Sequence, residues 1–315
     1  MILDLASYGA FFLVTALSYG IICLGLNVQW GQTGLFNVGI AGFVAIGAYT
    51  SAILTTPGVD GRLGGFGLPI WIGWSMGMVA SGLAAALVGA ITLRLRSDYL
   101  AITTFGIATA IQLVALNAGS ITGGPFGIGF IPRPFGGLEE QPLLFNFANL
   151  GLVLGVAVAV YAALERLIRS PWGRVLRAIR EDETAAISLG KNANLFRIQA
   201  FVLGSAIMGL AGAIQAHFIG FISPENYLSA ITFQVWAMLI IGGPGNNRGA
   251  LLGAVVVWGL WTLTGAALSS FVPAEYQART AALQIVVIGI LLAQMLIVRP
   301  RGLLGEMKAI SRFLR

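Results

Sequence analysis

Nine runs of apolar residues set the limits on what this chain can fold into. They lie at approximately 6–28, 37–56, 70–93, 99–118, 149–168, 199–221, 229–241, 250–268 and 280–298, and none has Asp, Glu, Lys or Arg at its centre. A bilayer core of about 30 Å takes roughly 20 apolar helical residues per crossing. The 18 basic and 12 acidic side chains make up 10% of the 315 residues, against about 25% in a soluble protein. They are too few to coat a soluble fold of this size, and 57% of the chain is apolar before its 43 glycines are counted. A soluble enzyme, a disordered chain and a fibrous protein are excluded. The expected fold is all-α and polytopic, one domain over residues 1–315 with about nine transmembrane helices, or eight to ten with broken or re-entrant segments. Two irregular places are visible. The seventh run is short and ends in Gly242-Gly243-Pro244-Gly245, and the second opens with Gly31-Gln32-Thr33-Gly34-Leu35-Phe36-Asn37-Val38-Gly39.

The charges sort by side. With nine crossings, Arg94, Arg96, Arg166, Arg169, Arg174, Arg177, Arg180, Lys191, Arg197, Arg248, Arg299, Arg301, Lys308, Arg312 and Arg315 share one face, and only Arg62, Arg133 and Arg279 take the other. Cytoplasmic loops carry the excess of Lys and Arg. The C-terminus is therefore expected in the cytoplasm and the N-terminus on the periplasmic side. The net charge of +6 reflects these loops rather than a nucleic-acid surface. Met1-Ile2-Leu3-Asp4 lacks the positive leader of a signal peptide. Cys23 is the single cysteine and His217 the single histidine, so neither an intrachain disulfide nor a His-rich metal site is expected.

Inside the runs, small residues predominate. Ser205 with Gly209, Gly209 with Ala213, and Gly82 with Ala86 form small-xxx-small pairs that let helix backbones approach closely. Asn37, Gln112, Asn117, Gln215, His217 and Gln234 are the polar residues that stand out. Each either lines a path or bonds a neighbouring helix. His217 reads as a satisfied interfacial side chain. Asn37, Gln112, Asn117 and Gln215 are the translocation-path candidates.

The stretch 169–197 is the most informative loop. Ser170 and Pro171 suit a helix start, and Gly190 suits a left-handed C-terminal turn. A helix is expected from there to about Leu189, with Gly173 as the place where it splits. Val175, Leu176, Ile179, Ala186 and Ile187 share one face, interrupted by Asp182 and Glu183, while Arg174, Arg177 and Arg180 fall opposite. Arg177 stands four residues before Glu181, an ion-pair spacing. An amphipathic helix between membrane blocks suits a groove on a partner, or the inner leaflet. The acidic run Glu181-Asp182-Glu183 favours the partner, because anionic lipid repels it.

These strings carry a resemblance. Glu183-Thr184-Ala185-Ala186-Ile187-Ser188-Leu189-Gly190 is similar to the cytoplasmic loop of ABC-importer permeases. Gly173-Arg174-Val175-Leu176-Arg177-Ala178-Ile179-Arg180-Glu181-Asp182 and Arg94-Leu95-Arg96-Ser97-Asp98-Tyr99-Leu100-Ala101-Ile102 resemble the branched-chain amino-acid permease family more narrowly. Thr122-Gly123-Gly124-Pro125-Phe126-Gly127-Ile128, Gly220-Phe221-Ile222-Ser223-Pro224-Glu225 and Ile241-Gly242-Gly243-Pro244-Gly245 extend the match over about 94–245, and Asp98-Tyr99-Leu100-Ala101 with Thr122-Gly123-Gly124-Pro125 point to the LivM-type subunit. Where many family members read Gly-Gln-Leu-Ser-Leu-Gly-His, this chain has Leu35, Asn37 and Ile40 at the Gln, Ser and His positions.

The resemblance implies an ABC-importer permease fold in a bacterial inner membrane. It implies inward transport of branched-chain or other hydrophobic amino acids, with urea, short-chain amides or aromatic acids as the alternative cargo. The implied partners are a LivH-type sister permease, two cytosolic ABC ATPases and a periplasmic solute-binding protein. ATP and Mg²⁺ belong to the ATPases, and this chain holds no Gly-x-x-x-x-Gly-Lys-Ser/Thr phosphate loop. The loop 169–197 becomes the coupling loop, with Arg174, Arg177, Arg180, Glu181, Asp182, Glu183, Ala186 and Gly190 as its residues. A secondary transporter or channel is a remote alternative, since no intramembrane charge is visible. A membrane-embedded enzyme lacks convergent acid, base or metal groups, and no catalytic residue is assigned.

Overall fold

A computed structural model describes residues 2–59, 61–95, 97–271, 277–298 and 302–305. Each of the nine apolar runs is helical. The helices are α1 (Ile2–Leu26), α2 (Ile40–Thr55), α3 (Ile70–Thr92), α4 (Ser97–Asn117), α5 (Gly119–Thr122), α6 (Pro142–Arg169), α7 (Pro171–Glu181), α8 (Glu183–Ser188), α9 (Ala193–Ile219), α10 (Ser229–Gly242), α11 (Asn247–Phe271) and α12 (Gln277–Val298). Six of them, α1, α3, α4, α6, α9 and α11, are long and apolar enough to cross a membrane, and α2 and α10 are shorter apolar helices. The 22 residues of α12 take up the ninth run. The chain is a helical, multi-pass membrane protein, as the runs require. Among the described residues, β structure is limited to two isolated bridges, Pro57–Phe66 and Ile128–Ile222. Arg96, Arg299, Arg301, Lys308, Arg312 and Arg315, expected on the basic face, lie outside the described residues.

Helix α9 is the centre of the bundle. In lipid, helices gain little from hiding apolar surface from one another, so close contact must supply the attraction. Glycines provide it here. A Cβ at Gly47 would stand 2.0 Å from the Gly209 carbonyl oxygen, one at Gly209 2.3 Å from Ser81 Cβ, and one at Gly212 2.1 Å from the Val44 oxygen. Helices α2, α3 and α9 therefore touch backbone to backbone. Ser81 pins this contact by donating to Phe43 O at 3.1 Å and Ser205 O at 2.8 Å. The small-residue pairs through Gly209 sit at this junction.

Both ends of the bundle are held by hydrogen bonds. At one end, the connection after α5 forms a reciprocal bridge, Ile128 N to Ile222 O at 2.8 Å and Ile222 N to Ile128 O at 2.9 Å. His217 is fully buried there. Its Nδ1 donates to Pro132 O at 2.7 Å, which leaves Nε2 to accept from Ser51 Oγ at 2.8 Å. Both ring nitrogens are engaged, in keeping with a structural histidine. At the other end, Leu303 N donates to Ile241 O at 2.7 Å and Leu304 N to Gly242 O at 2.9 Å. Residues 302–305 thereby satisfy carbonyls at the end of α10 that its own helix leaves open.

The stretch 169–197 is broken at a different place from the one expected. It divides at Asp182, whose extended backbone (φ −152°) ends α7 and whose side chain caps α8 by accepting from Ala185 N at 3.0 Å. Gly173 does not split it. That glycine is buried, and a Cβ there would meet Ile168 O at 2.1 Å, so it serves the close return of α7 onto α6. Ser170 holds the cap position without a side-chain cap and instead donates to Leu167 O. Leu176, Ile179 and Ala186 are buried as the periodicity requires, but Ile187 is exposed because the break rotates α8 away from the face of α7. Gly190 has φ +77° with open space around it, the left-handed turn expected of it.

The three-helix junction makes a clear prediction. Gly209→Val destabilises the chain by about 3 kcal/mol or more, since neither Ser81 nor the α2 backbone can retreat without opening the bundle. Gly151→Ala on α6 has open space and leaves stability within about 1 kcal/mol. Unfolding of the purified chain in mixed micelles as denaturing detergent rises separates the two.

Candidate functional site

The passage from α1 to α2 is irregular, and it is densely hydrogen-bonded. After Leu26 the helix loosens into a π-turn, Asn27–Gly31, and residues 32–39 are not helical. Unpaired backbone groups at such depth cost several kcal/mol each, so side chains must meet them. Asn27 Oδ1 accepts from Gly245 N at 2.8 Å while its Nδ2 donates to Asn247 Oδ1 at 2.9 Å. Gln29 Nε2 donates to Phe201 O at 2.8 Å and Ser205 Oγ at 3.0 Å, and its Oε1 accepts from Asn37 Nδ2 at 2.8 Å. Gln32 Nε2 donates to Gly245 O at 2.8 Å. Trp236 Nε1 reaches Asn37 O at 2.9 Å. The first turn of α2 is met from two other helices, Val38 N by Thr104 Oγ1 at 3.0 Å and Ala41 N by Thr232 Oγ1 at 3.1 Å.

This hub joins α1, α2, α4, α9, α10 and α11 within one span of about fifteen residues. It also reaches the loop between α6 and α9. Arg180 on α7 donates to Gly31 O, and its Cγ lies 3.3 Å from where a Cβ of Gly34 would stand. Asn247 Nδ2 donates to Glu165 Oε2 at 3.2 Å, and Glu165 holds Arg169 at 2.7 Å.

The other loop candidates are distributed around these anchors. Glu183 pairs with Arg197 of α9 at 2.7 Å, whereas the expected Arg177–Glu181 pair is not among the ion pairs of the described residues. Arg174, Glu181, Asp182 and Gly190 are exposed, Arg177 is half-buried, and Ala186 packs with Ile179 and Ala193. Beyond them α8 and its cap carry Ile187, 54% exposed, and Leu189, 80% exposed. An apolar tip thus projects from a firmly seated base.

The path candidates separate. Asn37 is fully buried in the hub. Gln112 lines a cleft of about 60 Å³ with Phe105, Thr109, Tyr227 and Thr232, between α4 and the start of α10. Gln215 lines a larger, mainly apolar cavity of about 240 Å³ with Ser18, Tyr19, Phe218, Asn226 and Trp258. Asn117 is exposed at the end of α4 and bonds its own Leu113 O at 2.8 Å. Gln234 Nε2 is buried without a hydrogen-bond partner. Asn27, Gln29, Gln32 and Asn247 were not singled out by sequence reasoning. The amide-rich string Asn27-Val28-Gln29-Trp30-Gly31-Gln32 at the end of an apolar run is the signal that points to them.

Removing one amide tests the hub. Asn27→Leu strands Gly245 N and the Asn247 amide, and each buried group left unpaired costs about 1–3 kcal/mol. Resistance of the purified chain to denaturing detergent falls accordingly, while Asn117→Leu, at an exposed site, leaves it within experimental error.

Comparison with known proteins places this geometry. Residues 9–296 match the family model described as branched-chain amino acid transport system / permease component. The chain is 34% identical to the high-affinity branched-chain amino acid transport system permease proteins LivM of Salmonella typhimurium and of Escherichia coli, over 91% of this chain and 67% of each relative. The LivH protein of the Salmonella system is 27% identical over 92% of both chains. A nucleoside ABC transporter permease protein, NupC of Lactococcus lactis, is 28% identical over 73% of both. No solved structure matches. A bundle of apolar helices with a broken first connection, and a match over nearly its whole length, make this chain a member of the branched-chain amino acid transport system permease family.

Proposed function

We propose that this chain is a membrane subunit of an ATP-driven importer that moves branched-chain amino acids inward. The observation that carries the substrate class is its 34% identity, over 91% of its length, to two proteins named for branched-chain amino acid transport. Relatedness to both LivM and LivH proteins supports a pairing with a sister permease. In this reading residues 1–315 form one permease domain in a bacterial inner membrane. The end bearing α7 and α8 faces the cytoplasm with the C-terminus, and the N-terminus is periplasmic, in line with the basic residues. Two separate ATPase subunits bind ATP and Mg²⁺ and hydrolyse it. A periplasmic solute-binding protein delivers the substrate and supplies most of the affinity, which suits an interior lined by uncharged groups.

The loop 169–197 carries the coupling. Leu176 and Ile179 are buried and α7 is fixed by Arg180, so α7 and α8 move as one piece. The exposed Ile187 and Leu189 are the anchors for a groove on the ATPase. Arg174, Arg177, Glu181 and Asp182 surround that tip and set its orientation. Glu183, Ala186 and Gly190 hold its shape. Closure of the ATPase pair on ATP pulls this piece, and rigid-body rocking of the helices alternates access. Gln112 and Gln215 are the path-lining groups, beside Asn117 at the mouth of α4 and Asn37 behind them.

A related permease named for nucleosides favours one alternative, that the family framework accepts other uncharged or apolar solutes. Urea and short amides fall in that class, and aromatic acids share its apolar character in the ring but carry a carboxylate. Calorimetry on the cognate binding protein separates these. Binding of leucine, isoleucine and valine, without nucleosides, amides or aromatic acids, is expected.

Two variants test the coupling loop. Glu183→Lys with Gly190→Pro sets a like charge against Arg197 and forces proline into a φ of +77° that its ring forbids. ATP-driven uptake by vesicles holding the full complex is lost, and unchanged uptake sinks the role. Ile187→Asp with Leu189→Asp removes the apolar anchors from an exposed site. The chain still inserts, but the ATPase subunits no longer co-purify with it.

A further inference from the structure

Arg180 joins α7 to the hub. Arg180 leaves a helix whose neighbouring arginine, Arg174, is exposed, and turns inward to donate to Gly31 O. Gly31 is the last residue of the π-turn. Turns of this kind are rare, and they recur at functional places where a helix must yield. The next residues up the turn hold the hub together, since Gln29 binds Phe201 and Ser205 on α9 and receives Asn37. Asn37 Oδ1 in turn accepts from Gly39 N at 2.7 Å, one residue before α2 begins. The bond to Gly31 and the bonds of Gln29, two residues earlier on the same π-turn, thus connect α7 through the backbone at the end of α1 to the N-terminus of α2.

We propose that Arg180 is a positioning residue that latches α7 to the π-turn of α1, so that displacement of α7 is passed through Gln29 and Asn37 to the first turn of α2. The inference rests on the importer reading above and deepens it. It assigns Arg180 to contact within the chain rather than to the surface the ATPase grips. It also gives the irregular segment 32–39 a purpose, because a straight helix through that depth would have no joint for α7 to move. The left-handed Gly34, φ +76°, leaves room for the arginine stem.

The test uses the full complex in vesicles. Arg180→Ala lowers uptake per ATP hydrolysed by about tenfold, the scale of a typical coupling between sites. Gln29→Leu does the same, and the double variant is no worse than either alone, because both break one route. Arg180→Lys, which keeps charge and reach, retains most of the coupling. The ATPase subunits co-purify with Arg180→Ala in parental amounts. Loss of co-purification to the extent seen with Ile187→Asp and Leu189→Asp overturns the proposal, as it puts Arg180 on the docking surface. Multiplying losses in the double variant, or parental coupling in Arg180→Ala, overturn it as well. Amide hydrogen exchange across residues 31–39 in the same complexes separates the latch from the importer reading. An ATP-dependent change in the parent that Arg180→Ala abolishes supports the latch even where no branched-chain amino acid is moved. Equal exchange with and without ATP in the parent overturns it.

Discussion

Hydrocarbon offers no hydrogen bonds, and a chain that leaves helical geometry inside it must satisfy its own backbone. The connection between α1 and α2 shows how this is met. Some of its amides turn back on the π-turn, as Leu35 N does on Gln29 O at 2.8 Å. Val38 N and Ala41 N are met by Thr104 of α4 and Thr232 of α10, and Gly39 N by Asn37 within the connection, while Asn27 takes Gly245 N from the α10–α11 connection. These bonds fix where α2 starts, how α10 and α11 meet at Gly245, and where α7 can sit. The rest of the bundle is arranged around a break that only this set of neighbours can support.

Close packing supplies the second constraint. The backbone contacts through Gly47, Gly209 and Gly212 leave no gap in which α2, α3 and α9 could slide. Helices α6 and α11 lie toward the periphery, with many of their side chains outside the core. The protein therefore has a tight centre and a looser rim, and the charged groups of the loop 169–197 attach to the tight part through Arg180 and Arg197.

Much of this was legible in the sequence. All nine apolar runs are helical, and six of the helices among the described residues are long and apolar enough to cross a bilayer, since length and hydropathy follow from bilayer thickness. The break before Ile40 was visible in its glycines, and the pairs through Gly209 in their spacing. Gly190 was readable because few residues other than glycine tolerate its φ. What escaped depended on tertiary partners. Asp182, rather than Gly173, ends α7, since an aspartate that caps the next helix outweighs a glycine needed for packing against Ile168. Ile187 fits the apolar face by periodicity, but the turn at Asp182 resets the count. The buried partner of Asn37, Gln29 eight positions earlier, has no signature in the periodicity. The ABC-importer resemblance supplied the partners and cargo, which no periodicity could.

The clasp at His217 has a mechanical meaning. Helix α9 is a rod of 27 residues, about 40 Å long. At one end it is fastened to residues 128–133 by His217, Gly220, Ile222 and the Arg133 bond to Ile219 O. Toward the other it carries Ser205 and Phe201 at the hub and Arg197 against Glu183. The surface connection and the loop 169–197 are therefore mounted on the same strut, and a load applied at either face is felt at the opposite one without any intervening hinge.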